Sequence, residues 1–247
     1  MSTTKDFFVK AVNLLEITKE EQRKTIEKVA AMMGECMKEN GIVQLFGIDH
    51  GRAFSMELGY RAGGLMPFHQ FNTKDLALRG VISEEEYQRE GFNDREDMAE
   101  KLWDLYLVEP TDMFILVSLS GCEGLIIETA LQAKQKGHKV VAVVTKELSD
   151  ASISKHSSGK KLVEIADIVI DTGAKNPDLL LDVDGTHKVN QIATIAGNVI
   201  AQMITAEVYR YLKEQGTECP VLLSANIKGA DVHNKELSDK YLGRWNA

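Results

Sequence analysis

The chain has 247 residues, 44% hydrophobic and 27% charged, an ordinary balance for one large soluble domain or two small ones. A formal net charge of -8 argues against nucleic-acid binding, which needs a basic footprint, and no apolar run approaches the ~18 residues of a membrane helix. The opening stretch MSTTKDFFVKAVNLLEITKEEQ lacks the pattern of a secretory signal, so an intracellular, cytoplasmic protein is expected.

Apolar residues at helical spacing (Phe8, Val12, Leu15, then Ile26, Val29, Met32, Met33, Met37) predict a helical arm over residues 1–40, closed by Asn40-Gly41. The remainder, 41–247, reads as one domain. Cys36, Cys122 and Cys219 are too scattered for a disulfide framework or a paired zinc motif. Ile42 to Gly47 is a short buried strand, and the segment from Asp49 reads as a loop and a helix ended by Gly63-Gly64. Leu65 to Phe71 is a second strand, with Pro67 marking a start or an edge. Two charged helical segments, SEEEYQRE and NDREDMAEKLWDLY, form an insertion, the second capped by Asn93.

Three apolar runs follow, DMFILVS, KVVAVVT and DIVIDT, with a helix between the first two. Continuous apolar runs alternating with helices predict parallel strands buried on both faces. A long helix stopped by Gly216 and a C-terminal helix over KELSDKYLGRWNA complete the chain. The expected architecture is α/β: a three-layer sheet of five parallel strands with the helical arm. In such sheets ligands sit at the carboxyl ends of the strands, where the strand order reverses.

Two strand-to-helix loops carry chemistry. In Ser118-Leu119-Ser120-Gly121-Cys122-Glu123-Gly124, backbone amides, a helix start and two hydroxyls face one space, which suits an oxyanion. A plain turn with Ser120 as a helix cap is an equal reading of the pattern. A serine nucleophile is disfavoured because Ser118 stands where the elbow needs glycine, and Glu123 opposes a Cys122 thiolate. The loop Gly47 to Arg52 brings Asp49, His50 and Arg52 to one strand end, against a bland reading of Asp49 as a cap and Arg52 as solvated. The dinucleotide fingerprint is missing, so no cofactor is expected. Glu57 and Arg61 lie at ion-pair spacing on the next helix. Ser157, Ser158 and Lys160 form a polar turn before a short helix, and His233 and Asn234 read as a polar loop before the last helix.

Taken together, these segments resemble the sugar isomerase (SIS) domain. The similarity is closest to uncharacterised bacterial SIS proteins that share the FGIDHGRAFSMELGYRAGGL region, HSSGK (156–160), ADIVID (166–171) and the SAN…HN ending (224–234). The resemblance runs from about Gly41 to Asn234. It implies strand order 2-1-3-4-5 and a homodimer, or dimer of dimers, with sites shared between subunits. It also implies an anionic sugar ligand, with Ser118 and Ser120 on the family's phosphate-binding serines and Glu57 on the glutamate used in catalysis by the phosphoheptose isomerase branch. Departures stand at Asp49 (usually Gly), Gly51 (Ser), Arg52 (His) and Glu123 (Thr). Ala53 replaces that branch's zinc-binding histidine, so no metal is carried over.

The expected activity is aldose–ketose isomerisation of a phosphorylated or similarly anionic sugar through an enediol. Glu57 is the expected base. His50 or His233 opens the ring, with His233 coming from the same or a neighbouring subunit. Ser118, Ser120, Gly121 and Cys122 hold the anion, assisted by Asp49, Gly51, Arg52, Ser157, Ser158, Lys160 and Asn234. A phosphosugar sensor without turnover and an etherase-type lyase are the alternatives. The direction of the Glu123 carboxylate decides whether the serine loop still suits a phosphate.

Overall fold

Five short apolar segments pair side by side because each has one residue set for each face of a sheet. They are β1 (Val43–Gly47), β2 (Phe68–Phe71), β3 (Met113–Val117), β4 (Lys139–Val144) and β5 (Ile168–Asp171). All four pairings are parallel, as the apolar runs predict, in the order β2-β1-β3-β4-β5 that the resemblance implies. The computed structural model describes residues 4–176, 178–241 and 243–244.

Alternate strand residues feed two cores. Val43, Leu45, Met113, Ile115, Val117, Val141 and Val143 face one side, where α1 (Thr4–Lys38) brings Ile26, Val29, Met33 and Met37. Helix α2 (Arg52–Leu58) covers the same side. The other face, with Phe46, Phe114, Leu116, Val140 and Val144, is covered by a run of short helices. These are α3 (Lys74–Leu78), α4 (Glu84–Tyr87) and α5 (Met98–Trp103), then α6 (Gly124–Gln135) and α8 (Leu162–Ile165); a further short helix, α7 (Lys146–Ala151), follows β4. A small antiparallel pair, β6 (Leu181–Asp182) and β7 (Lys188–Val189), follows and was not expected. Helix α9 (Ala193–Glu214) then returns to the first face beside α1, and α10 (Ala230–Asp239) ends the described elements.

Four local expectations are corrected. Helix α2 stops at Leu58 with Gly59 extended, well before Gly63-Gly64, because residues 63–66 leave to pair with 220–222. The second strand starts only at Phe68, since Leu65 bridges Val221 instead. Asn93 does not cap α5: residues 92–94 form a separate 3-10 turn and Asp97 takes the cap position. His233 and Asn234 lie on α10, not in a loop, and that helix ends at Asp239; positions 242 and 245–247 of the expected C-terminal helix lie outside the described residues, as do 1–3 of the arm.

A buried polar chain sets the strand register at the amino end of the sheet. The Asp112 carboxylate is fully buried and accepts from Ile42 N (2.8 Å), Gln44 Nε2 (2.8 Å), Glu109 N (3.0 Å) and the Arg244 guanidinium. Gln44 Oε1 in turn accepts from His69 Nδ1 at 2.7 Å. One carboxylate thereby joins β1, the approach to β3 and, through Gln44, β2. Asp112→Ala leaves a buried amide and a guanidinium without their acceptor and is expected to cost about 3–5 kcal/mol in urea unfolding.

Burial pushes the His69 ring down to about 4 from its ordinary 6.5. Between those values the unfolded chain takes up a proton that the folded chain refuses, so stability falls as pH drops from about 6.5 to 4. The expected loss is roughly 3 kcal/mol across that window. Urea midpoints at pH 7 and 4.5 check it, with His69→Gln showing the smaller difference between the two.

Candidate functional site

The strand order reverses between β1 and β3, and the loops after these strands meet at their carboxyl ends. Gly47 pairs with Val117, and Ile48 N donates to Val117 O at 3.1 Å. The first loop then folds back tightly. A Cβ on Gly51 would sit 2.6 Å from Val117 O, and one on Gly47 would sit 2.4 Å from Gly51 O. Asp49 holds the left-handed backbone, φ +46°, where most residues are strained. It caps no helix; its carboxylate accepts from Asn93 Nδ2 at 2.9 Å.

This loop forms one wall of an open cleft of about 400 Å³, whose other wall is the end of β2. Asp49, His50 and Arg52 face Gln70, Asn72 and Lys74 across it. Among the described residues neither Arg52 nor Lys74 has an ion-pair partner, although the chain is acidic overall. Ser55, buried in the lining, has a hydroxyl with no partner. His50 also borders a narrow apolar pocket with Leu119, Val143 and Ala193, so it stands between the two loops. The sequence reading missed Gln70, Asn72 and Lys74; the available signal was the place of Gln70 near the end of a buried strand and of Asn72 and Lys74 directly after it.

In the second loop Ser118 is buried, and the Glu123 side chain turns inward. Ser118 Oγ donates to Glu123 Oε2 and Ser120 Oγ to Glu123 Oε1, both at 2.6 Å. Gly121 N donates to Ser118 Oγ (2.8 Å), and Cys122 N to Ser120 Oγ (3.1 Å) and Glu123 Oε2 (3.2 Å). Glu123 itself occupies the cap position of α6, so Ser120 is not a simple helix cap. Burial pushes the Cys122 thiol up, away from the range of a reactive thiolate.

The insertion clamps these loops from outside. A Cβ on Gly124 would meet Asp94 O at 2.2 Å, which explains the glycine at the start of α6. Asp94 pairs with Lys155 at 3.0 Å, and Glu96 accepts from Ser157 N and Oγ. Ser157 and Ser158 are thus engaged outside the serine loop: Ser158 bonds His156, whose Nε2 meets Glu128 at 2.8 Å. The Lys160 side chain is exposed. Glu96, Glu128 and His156 bring three possible metal-ligand atoms within 4.8 Å of one another. However, Ser158 N donates to His156 Nδ1 at 3.0 Å, which puts a ring proton on Nε2, facing the carboxylates. That arrangement suits a hydrogen-bonded cluster better than a metal ligand set.

Other expected site residues are not brought together within one subunit. Glu57 is bonded to Arg61 and to Gln202 Nε2 (2.6 Å) on α9, and is not part of the cleft lining. His233 Nε2 donates to Val221 O at 2.9 Å, and Asn234 bonds Leu223 N and O, both at 2.8 Å. These contacts fasten the 220–223 segment to α10 beside Ile42 and Met66, at the amino end of the sheet opposite the crevice.

Comparison with known proteins agrees with this architecture. The SIS domain profile matches residues 6–145. A UPF0309 protein of Geobacillus kaustophilus (strain HTA426) is 33% identical over 240 residues, covering 96% of this chain and 94% of the relative. A UPF0309 protein of Thermoanaerobacter pseudethanolicus (strain ATCC 33223 / 39E) is 35% identical over 236 residues, covering 93% and 94%. Among solved structures, phosphoheptose isomerase GmhA from Neisseria gonorrhoeae superposes with a TM-score of 0.56 at 12% identity, over 82% of this chain and 95% of that one. A phosphoheptose isomerase from Francisella tularensis gives 0.55 at 14%, over 83% and 95%. With its sheet order, its paired loops and these full-length relatives, the chain belongs to the SIS domain family, among the UPF0309 proteins.

Proposed function

We propose that this protein binds an anionic sugar in the crevice at the carboxyl ends of β1 to β3 and interconverts its aldose and ketose forms. The observation that carries this reading is the cleft in which His50 stands beside Arg52 and Lys74, two cations without ion-pair partners among the described residues of an acidic chain. The phosphoheptose isomerases of the same fold support a ligand of phosphosugar type. Arg52 and Lys74 hold the anionic group by charge-assisted hydrogen bonds. His50, at the junction of the two loops, polarises the carbonyl and assists ring opening.

Glu57 is the proposed base for the proton next to the carbonyl. To act, it exchanges its bonds to Arg61 and Gln202 for contact with the sugar. Its engagement on the α9 side favours a second reading, in which the protein binds the sugar as a sensor without turning it over. A shared site is consistent with the apolar side chains Phe8, Val9, Val12 and Ile17, exposed on the first half of α1, where a second copy of the chain would cover them.

Arg52→Ala and Lys74→Ala are each expected to weaken sugar binding about 10- to 100-fold, read by calorimetric titration over a panel of sugar phosphates and sulfonates. Exchange of the C2 proton in deuterated water separates the two readings. An isomerase exchanges it, and Glu57→Gln slows exchange by ~10²–10⁴-fold with little change in affinity. Ligand-dependent stabilisation with no exchange in the wild type establishes the sensor instead.

A further inference from the structure

The serine loop has no hydrogen-bond donor left to offer among its two hydroxyls and the amides of Gly121 and Cys122. Both hydroxyl protons go to the two oxygens of Glu123, at 2.6 Å each. The Gly121 and Cys122 amides go to those same hydroxyl oxygens, and Cys122 N is shared with Glu123 Oε2. A carboxylate accepts and cannot donate, so the spare capacity of this group of side chains and amides is that of an acceptor.

The surroundings hold this arrangement in place. Lys155 N donates to Cys122 O, and Leu162 N to Gly121 O, fixing the loop's far side. The Asp94 carbonyl sits over Gly124 at the loop's end. Neither nearby lysine bonds Glu123 directly among the described residues: Lys155 Nζ pairs with Asp94, and Lys161 Nζ donates to Ser149 O at 2.5 Å. A phosphate entering the loop would compete with Glu123 for the same protons and be repelled by its charge.

We propose that Glu123 is a specificity residue that converts the serine loop from an anion site into an acceptor site. The sugar presents a hydrogen-bond donor, a hydroxyl or an ammonium group, to the loop. Its anionic group lies at the other end of the crevice, against Arg52 and Lys74. This placement rests on the reading of the crevice as a sugar site given above. It narrows the ligand to sugars whose charged group and loop-facing end are different parts of the molecule.

Inorganic phosphate is the direct probe, titrated into the wild type, Glu123→Ala, Glu123→Gln and Glu123→Ala/Ser120→Ala. Glu123→Ala is expected to bind phosphate at least tenfold more tightly than the wild type, with the gain removed by the added Ser120→Ala. Glu123→Gln keeps the shape without the charge and covers the case in which the alanine variant does not fold; it too is expected to gain affinity. No gain in either variant overturns the proposal, as does wild-type phosphate binding that Ser120→Ala abolishes. The sugar panel is read separately. A wild type that binds no sugar, while Glu123→Ala gains phosphate, sinks the crevice reading and leaves the role of Glu123 standing. A wild type that binds sugar phosphates through Ser120 does the reverse.

Discussion

The buried carboxylate of Asp112 is the constraint on which the rest of the structure depends. A charge removed from water must have its lone pairs satisfied, and here the partners come from the start of β1, the approach to β3 and the Arg244 guanidinium. This fixes β1 against β3 in a register that places Gly47 opposite Val117. A slip of one residue would turn every strand side chain to the other core. The crevice at the far end of the sheet is therefore set from the near end.

From that register the loop geometry follows. The first loop crosses the end of β3 so closely that Gly47 and Gly51 have no room for side chains. Asp49 adopts a left-handed conformation, and its carboxylate ties the insertion to the loop through Asn93. A strained residue that makes a specific contact at a strand end is a common mark of a functional site. The insertion then works as a brace: within four positions of the chain Asn93 holds Asp49 of the first loop, Asp94 and Glu96 hold Lys155 and Ser157 of the loop before α8, and the Asp94 carbonyl sits against Gly124 at the end of the serine loop.

The serine loop gives both its hydroxyl protons to one side chain. Its backbone still has the form of an anion cradle, with Gly121 at φ +64° and a helix starting behind it. Glu123 supplies the anion from within. Arg52 and Lys74, two cations without ion-pair partners among the described residues, line the cleft instead, so the polarity runs from acceptor at the serine loop to cation at Arg52 and Lys74.

The strands, their parallel pairing and the two-loop crevice were legible because apolar runs and glycine-punctuated strand ends are local signals. Glu123 was recognisable as the anomaly, yet a glutamate can point to water or inward with the same sequence. Only the packed loop, with two serine hydroxyls converging on it, decided the direction. Likewise His233 and Asn234 looked like site residues by their place in a motif, while within one subunit folding puts them at the amino end of the sheet, bonded to the 220–223 segment. Lys74 and Asn72 joined the crevice although their local sequence marked them only by their place after a strand. The sequence by itself determined the elements and the loops that carry chemistry, since both depend on local periodicity and backbone freedom. Tertiary structure alone decided which side chains share the crevice and which donors remain unused, because those depend on contacts between residues far apart in the chain.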